Sequence, residues 1–455
     1  MIRLRNITQI LNNLKQTNML ATFIRKAGIV FVIQIFGTGL GYLLQVFLAR
    51  VMGDQEYGLY TYIFAWVSVC SIFCNLGMPG AVLRFIPEYS THKDWGRFQG
   101  VIRSCSRFTF AVGIGLSVVA TMVVMAINAT RSIENLTPIL FGIWTMPLLA
   151  LESLQSCLFR GGHQMVAAYG PSKVLRPMLF MGGIGAILYW TSSQQIASQP
   201  VFIITILTYL ILVFGQQLLI QRDLLTQGEP APPIYDLRTW LRVSLPLLLI
   251  TGFMLILYQT DLLMIGAMLG SSDVALYNAA GKTAGLTTFV YTAVEAIAAP
   301  TIAGLYAAGD RPQLQKMVTT MAHLVFWPTM LVTLFLITCG SYILGMFGPE
   351  FVAAQWSLTI LVLGQLVSAT TGSGGYLLDL TGHQNLSARV RCSTAVLNIC
   401  LNYVLIPKFG IMGAAMATAT AIILDNIAIY ILTVKYIGVH SLIFYSLKLP
   451  SFRHK

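Results

Sequence analysis

The stretch from Asp261 to Lys282, DLLMIGAMLGSSDVALYNAAGK, joins two long apolar runs and places two opposite charges inside them. Charged side chains within hydrocarbon are costly, so both residues are candidate functional groups. An earlier stretch, LARVMGDQEYGLY from Leu48 to Tyr60, reads as a copy of the later one. Four of its residues match four of the later stretch at a constant offset of 217 residues: Gly53, Glu56, Leu59 and Tyr60 correspond to Gly270, Asp273, Leu276 and Tyr277.

The composition is that of a polytopic membrane protein. Of the 455 residues, 56% are hydrophobic and 10% charged, whereas soluble domains carry about 25% charged residues. Only helices and closed barrels satisfy the backbone in lipid, and long apolar runs without strand alternation favour helices. The net charge of +12 could indicate nucleic-acid binding. A positive-inside bias explains it better, because the excess lies in loops on one side.

Twelve apolar segments of about 20 residues, the length that crosses hydrocarbon, follow a basic N-terminal segment. They lie near residues 27–49, 57–79, 108–127, 137–158, 169–190, 201–221, 243–266, 275–298, 320–346, 353–378, 388–406 and 413–434. With the N-terminus inside, all but four of the 28 Lys and Arg residues fall in inside segments. Arg50, Arg131 and Lys408 lie outside, and Lys282 lies in a span. This asymmetry predicts that both termini are inside.

The Pro- and Gly-containing stretch QRDLLTQGEPAPPIYDLRTW divides the chain into halves. We predict a basic cytoplasmic segment over 1–26, six-helix lobes over 27–221 and 243–434, a cytoplasmic linker over 222–242, and a cytoplasmic tail over 435–455. The tripeptide Gly-His-Gln at 162–164 recurs at 382–384 and supports this division. Because six is an even number, both halves insert the same way round, as parallel repeats about a central cavity.

Two further features bear on the class of protein. The seven cysteines lie in or beside apolar segments, so we expect neither a disulfide nor a metal site from them. The first apolar run is long enough to span and lacks the short h-region and cleavage site of a signal peptide. We therefore expect it to remain as a membrane helix.

Three stretches resemble the oligosaccharide flippases of bacterial surface-polysaccharide synthesis, the Wzx or O-antigen type. They are LARVMGDQEYGLYTYIFAWVSVCSIFCNLGMPGAVLRFIPEY from Leu48, TDLLMIGAMLGSSDVALYNAAGKTAGL from Thr260 and LNICLNYVLIPKFGIMGAAMATATA from Leu397. This family belongs to the superfamily of multidrug (MATE) exporters and lipid II flippases. The resemblance covers essentially the whole chain and implies a MATE-like fold.

The resemblance also implies a mechanism. An oligosaccharide is built on a lipid carrier, usually a polyprenyl diphosphate, at the cytoplasmic face of a bacterial inner membrane. The flippase moves the head group to the outer leaflet by alternating access, without acting as an enzyme. An H⁺ or Na⁺ gradient or the membrane potential drives transport, with no cofactor, and this agrees with the lack of a G-x-x-x-x-G-K-[ST] loop. Expected partners are the lipid-linked oligosaccharide, membrane lipids and other polysaccharide assembly proteins, and no nucleic acid.

A diphosphate substrate needs cations. Lys282 is the leading candidate, about 12 Å deep at 1.5 Å per residue. Arg84 follows GMPGAVL at the inside end of the second helix, where the resemblance places a basic residue, and Arg50 lies outside, where the diphosphate is released. Lys173 and Arg389 begin the fifth and eleventh helices. The alternative for Arg84, Lys173 and Arg389 is the ordinary placement of basic residues on the inside, at the level of the head groups.

Asp261, Glu295 and Asp425 are the candidates for ion coupling among the acids within spans, and Glu152 is a further acid that could carry a coupling proton. The short hairpin between Asp261 and Lys282 predicts a contact between them. That contact is either a structural ion pair that makes burial tolerable or a pair that opens to release Lys282 to phosphate. Asn398 and Asn402, four residues apart on one face, predict helix–helix hydrogen bonding or contacts to sugar hydroxyls.

Other functions remain open at this stage. A cation-coupled MATE-type drug exporter has the same fold, and its cavity is lined by acids and aromatic residues instead of cations. A membrane polysaccharide polymerase or glycosyltransferase usually needs a sizeable outside loop, whereas the outside loops here are short. A purely structural scaffold leaves the charges within spans unexplained.

Overall fold

The structure is a computed structural model that describes residues 2–191, 195–229, 231–372 and 374–443. Regular structure in these ranges is helical. The α-helices are α1 (Ile2–Asn75), α2 (Met78–Thr91), α3 (Trp95–Thr130), α4 (Leu136–Gly161), α5 (Met165–Gly170), α6 (Arg176–Thr191), α7 (Ser198–Leu219), α8 (Leu237–Met268), α9 (Ser271–Ala284), α10 (Thr288–Ala307), α11 (Arg311–Gly345), α12 (Gln355–Thr371), α13 (Gly374–Leu380), α14 (Gln384–Phe409) and α15 (Ile411–Ile437). Short π-helices (Pro171–Leu175, Ile220–Leu224) and 3₁₀-helices (Gly285–Thr287, Pro349–Ala354) adjoin them.

Membrane-length apolar helices dominate the chain. Within the described ranges, nine stretches are long and apolar enough to cross a bilayer. The longest, Gly28–Asn75, has 48 residues, more than twice the roughly 20 that one crossing needs, and it breaks at Gly53. The protein is therefore an all-α, multi-pass membrane protein, as predicted. The count of twelve spans stays a prediction.

The chain packs as two compact units. Unit 1 comprises Met1–Leu44 and Val67–Leu255, and unit 2 comprises Gln45–Trp66 and Ile256–Lys455. The sequence-based lobes divide the chain at its linker, whereas these units follow packing, so residues 45–66 join the later part of the chain. The predicted lobe, linker and tail boundaries stay predictions, and residues 444–455 of the tail lie outside the described part.

The core of unit 1 is built where α2, α3 and α4 meet the start of α8. Met78, Phe98 and Phe159 are fully buried there around Trp240. The Trp240 Nε1 group donates to the hydroxyl of Tyr89 at 3.0 Å, which satisfies the indole N–H inside the cluster. The start of α8 is thereby attached to helices far earlier in the chain.

The segment before α8 packs against α3. The backbone N–H of Ile234 donates to the carbonyl oxygen of Gly96 at 2.9 Å. A Cβ atom added to Gly100 would lie 1.8 Å from the carbonyl oxygen of Ile234. Glycine at position 100 therefore allows the predicted linker to lie directly on a helix backbone.

Unit 2 has its own apolar core. Buried residues of α10, α11, α13 and α15 meet there: Ala298, Ile302, Leu314, Val318, Met321, Leu377, Leu378, Ile429 and Ile437, with Val439.

The two copies of the repeated stretch have the same backbone break and contact each other within unit 2. Gly53 (φ 72°) and Gly270 (φ 139°) each separate two helical segments in conformations that favour glycine. The Ser272 hydroxyl donates to the Asp54 carboxylate. A Cβ atom at Gly58 would lie 1.7 Å from the carbonyl oxygen of Ser271, so backbone packs directly on backbone here.

The second repeated motif lies in similar turns, displaced by one residue. Residues 162–164 link α4 to α5 and residues 381–383 link α13 to α14, with positive φ at His163 (59°), the second residue of its motif, and at Gly382 (84°), the first residue of the other. A third pair escaped sequence reasoning. Asp94 and Asp310 both cap the following helix through a side-chain oxygen, at 3.1 Å from the backbone nitrogen three residues on. One capping residue in each half of the chain, within sequences that otherwise differ, is too weak a signal to reveal this equivalence.

We predict that Gly58→Ala destabilises the protein. The added methyl group would overlap a backbone carbonyl, which cannot rotate away, so α1 and α9 must separate. Overpacking of this kind costs roughly 1–3 kcal/mol, and the midpoint of thermal unfolding in detergent should fall.

Gly39→Ala is the matched control. Gly39 lies in the same helix, and an added Cβ atom would meet nothing within 4 Å. Equal unfolding midpoints for the two variants would contradict the close packing of the repeat copies.

Candidate functional site

Asp261 lies at the meeting point of four helices of unit 2. Its Oδ2 atom accepts hydrogen bonds from the Tyr277 hydroxyl of α9 at 2.7 Å and the Thr418 hydroxyl of α15 at 2.5 Å. Its Oδ1 atom accepts one from the Asn402 amide of α14 at 2.7 Å. Three neutral donors therefore surround the one carboxylate, an arrangement that holds it in place without a neighbouring cation.

Two asparagines extend this network along α14. The Asn402 Nδ2 group also lies 2.9 Å from Asn398 Oδ1, and the Asn398 amide donates to Thr418 at 3.3 Å. Asn402 is fully buried, and its own Oδ1 has no hydrogen-bond partner among the described residues. Both asparagines thus form hydrogen bonds between helices, which is one of the two roles predicted from their spacing. Contacts to sugars stay a prediction.

Lys282 does not pair with Asp261. None of the four ion pairs among the described residues involves either side chain. Lys282 is exposed in the last turn of α9. It lies five residues after Tyr277, which is about 140° around a helix of 3.6 residues per turn. The face of α9 that bonds Asp261 is therefore not the face that carries Lys282, and the expected contact was wrong.

Asp425, a second coupling candidate, is separate from this network. Asp425 of α15 accepts a hydrogen bond from Thr394 of α14 at 3.0 Å. Arg391, whose charge acts on Asp425, pairs with Asp379 at 3.5 Å. The side chain of Glu295 lies outside the described residues.

Lys173 belongs to a charged cluster in unit 1. Lys173 lies in the π-helix Pro171–Leu175. A Cβ atom added to Gly37 would lie 2.6 Å from the Cβ atom of Lys173. Lys173 and Arg176 are the charges that act on Glu152, an acid with 7% of its surface exposed. Arg176 also donates to the Tyr209 hydroxyl at 3.0 Å. The sequence identifies Glu152, Lys173 and Arg176 as separate charged residues, and only the structure shows that they interact.

The three remaining basic candidates differ in their surroundings. Arg50 donates from Nε to the carbonyl oxygen of Met346 at 2.8 Å and from Nη2 to that of Gly345 at 3.1 Å, at the end of α11. Arg84 is exposed and pairs with Glu88 at 3.5 Å. Arg389 is exposed near the start of α14. Their predicted roles in substrate binding stay predictions.

Comparison with known families supports this picture of the chain. The sequence profile described as "Polysaccharide biosynthesis protein" matches residues 23–305, which is more than half of the chain. The protein belongs to this polysaccharide biosynthesis family. A second profile, described as MatE, matches residues 246–404 of this family member. The match confirms the relationship that the three quoted stretches indicated.

A curated relative of this polysaccharide biosynthesis protein comes from the archaeon Haloferax volcanii. It is described as the "Probable low-salt glycan biosynthesis flippase Agl15" and is 24% identical over 407 residues, covering 88% of this chain and 80% of the relative.

Two solved structures share the fold of this polysaccharide biosynthesis protein. An inward-facing multidrug resistance MATE transporter has a TM-score of 0.70 and 11% identity, over 88% of this chain and 94% of its own. The lipid II flippase MurJ, in an inward closed conformation, has a TM-score of 0.68 and 17% identity, over 90% and 87%. The MATE-like fold is therefore confirmed.

We predict that Arg50→Gln lowers thermal stability and leaves transport intact. The guanidinium caps carbonyl groups at the end of a long helix, where a cation is favourable. Losing it should cost about 1 kcal/mol, measured as a lower midpoint of unfolding in detergent.

Arg131→Gln serves as the control, because Arg131 is an exposed arginine at the end of α3 and is predicted to lie on the same side. A loss of transport in Arg50→Gln at unchanged stability would instead support the diphosphate-binding role.

Proposed function

We propose that this protein is a flippase for a lipid-linked oligosaccharide. It moves the head group of a polyprenyl-diphosphate oligosaccharide from the inner to the outer leaflet of a bacterial inner membrane, for surface polysaccharide synthesis. Membership of the polysaccharide biosynthesis family supports this, as does the likeness to proteins described as a glycan biosynthesis flippase and a lipid II flippase. In this proposal it acts as a transporter, not as an enzyme, and it moves the substrate by alternating access.

The separation of Lys282 from Asp261 carries the proposal. An ion pair would neutralise both groups, whereas here the carboxylate is surrounded by neutral donors and the ammonium group is exposed. An exposed cation in a predicted span is suited to an anionic diphosphate. The basic residues Arg84, Lys173 and Arg389 extend the binding path in this proposal, whereas the guanidinium of Arg50 is engaged by carbonyl groups at the end of α11.

Asp261 is the proposed coupling acid. Its network offers only oxygen and amide groups, from Thr418, Tyr277 and Asn402, which suit either a proton or a hard cation such as Na⁺. Asp425 and Glu295 are the alternatives. Transport draws on an H⁺ or Na⁺ gradient or on the membrane potential and needs no cofactor. Both termini face the cytoplasm, and other polysaccharide assembly proteins supply and consume the lipid.

One observation favours a second candidate function, a cation-coupled drug exporter. The MatE profile matches residues 246–404, which contain Asp261 and its partners. The exposed lysine in the same segment argues against a cavity for cationic drugs, because like charges repel. The two functions predict different cellular phenotypes.

Cells lacking this protein should accumulate polyprenyl-diphosphate oligosaccharide on the inner leaflet and lose surface polysaccharide. Mass spectrometry of a lipid extract measures the first and names the glycan. Restoring the wild-type gene should clear the lipid. Lys282→Ala should fail to do so at a normal membrane level, and Lys282→Arg should restore part of the transport, because it keeps the charge.

Unchanged lipids together with new sensitivity to cationic drugs would reject the flippase and support the exporter. If the deletion accumulates the lipid but Lys282→Ala is fully active, the flippase function would be retained and the role of Lys282 as the substrate-binding cation would be rejected.

We predict that Asp261→Asn removes the response of transport to the ion gradient. The amide has nearly the same shape but cannot exchange a proton or neutralise a cation. In proteoliposomes with the lipid identified above, the residual rate should be the same with and without an imposed pH or Na⁺ gradient.

Asp273→Asn is the matched control, since Asp273 lies in the first turn of α9 within the same hairpin. A rate for Asp261→Asn that still follows the gradient would remove Asp261 as the coupling group.

A further inference from the structure

A polar cavity of about 520 Å³ lies between α3 and α7 in unit 1. Its walls are Ile102, Arg103, Ser106 and Arg107 of α3, with Gln217 and Gln221 on the side of α7. Both helices pack along α4. The amide of Gln155 in α4 donates to Gln217 Oε1 at 3.2 Å, which fixes that wall. Nothing in the proposed transport path uses this cavity.

Two arginines give the cavity its charge. Arg103 and Arg107 are four residues apart, so their Cβ atoms lie about 6 Å apart on one face of α3. The ion pairs among the described residues use other arginines: Arg84, Arg97, Arg222 and Arg391. Among the residues that the structure describes, no carboxylate lines the cavity. Paired guanidinium groups without an acid match a phosphate, whose oxygens they bind in a forked geometry.

The amide groups opposite complete a head-group site. Gln217 and Gln221 are also four residues apart, so both face the same groove. Each amide can donate to a phosphate oxygen or accept from a hydroxyl group. The cavity therefore presents cations on one wall and neutral hydrogen-bonding groups on the other.

The position along α3 points to a lipid. Arg107 is followed at once by the apolar run of this span, and a basic residue at such a boundary lies at the level of lipid phosphates. Deeper along the same two helices, Phe110 is 48% exposed and Phe214 67%. These apolar side chains offer a surface for acyl chains, which a free phosphate ion would not need.

We propose that this cavity binds the phosphate of an anionic membrane phospholipid, with its acyl chains along Phe110 and Phe214. Guanidinium pairs between spanning helices are suited to such head groups. The site is distinct from the transport path and would attach the ends of α3 and α7 to one leaflet.

Native mass spectrometry of the delipidated full-length protein tests this. The probes are phosphatidylglycerol, phosphatidylcholine and inorganic phosphate. The Arg103→Gln/Arg107→Gln variant should bind the first phosphatidylglycerol at least about tenfold more weakly, because both cations facing the phosphate are lost. Phosphatidylcholine should bind weakly to every form, and excess inorganic phosphate should not displace the lipid.

The matched control is Arg238→Gln/Arg242→Gln, which removes two exposed arginines at the same spacing from α8, outside the cavity. It should bind phosphatidylglycerol like the wild type. Equal losses of phosphatidylglycerol binding in both double variants would show that the lipid is attracted to basic helix ends in general. That result would overturn the proposed site. Unchanged binding in the cavity variant, or displacement of the lipid by inorganic phosphate, would also overturn it. Unfolding midpoints within a few degrees of wild type confirm that both variants are folded.

Discussion

Unit 2 depends on the backbone contact between the two copies of the repeated hairpin. Inside a membrane, apolar side chains gain little from leaving lipid, so helices associate through close packing and hydrogen bonds. Gly58 permits that packing because no side chain separates α1 from the Ser271 carbonyl. The Asp54–Ser272 hydrogen bond lies at the same contact. This is the physical reason that residues 45–66 pack with the later part of the chain.

The same contact positions the carboxylate network. Asn278 of α9 donates to the Tyr57 hydroxyl at 2.7 Å, and Tyr57 donates to Gln45 at 2.7 Å. The neighbouring Tyr277 points to a different side of α9 and reaches Asp261. Successive residues of one short helix therefore join the repeat contact to the candidate coupling acid. A displacement of α9 would therefore change both the repeat contact and the hydrogen bonds to Asp261.

The two units differ in the groups that surround an acid within a predicted span. Asp261 in unit 2 has neutral hydrogen-bond donors, whereas Glu152 in unit 1 lies within reach of Lys173 and Arg176. A carboxylate among neutral groups can gain or lose a proton or cation without disturbing a paired cation. One that faces two cations is tied to their charge. This difference makes the Asp261 network the better coupling site of the two.

The sequence by itself determined the membrane class, the helical fold and the repeat that matches Gly53 with Gly270, because these depend on local apolar length and residue pattern. It also identified Asp261 and Lys282 as charges within spans. Only the tertiary structure decided their partners. Thr418 lies 157 residues from Asp261 along the chain, and the rotation of each helix selects which side chains meet. Hydropathy indicates that a helix lies in lipid, but it does not indicate which face of the helix contacts its neighbours. For that reason the Asp261–Lys282 contact was predicted from the sequence, whereas the structure surrounds Asp261 with neutral hydrogen-bond donors.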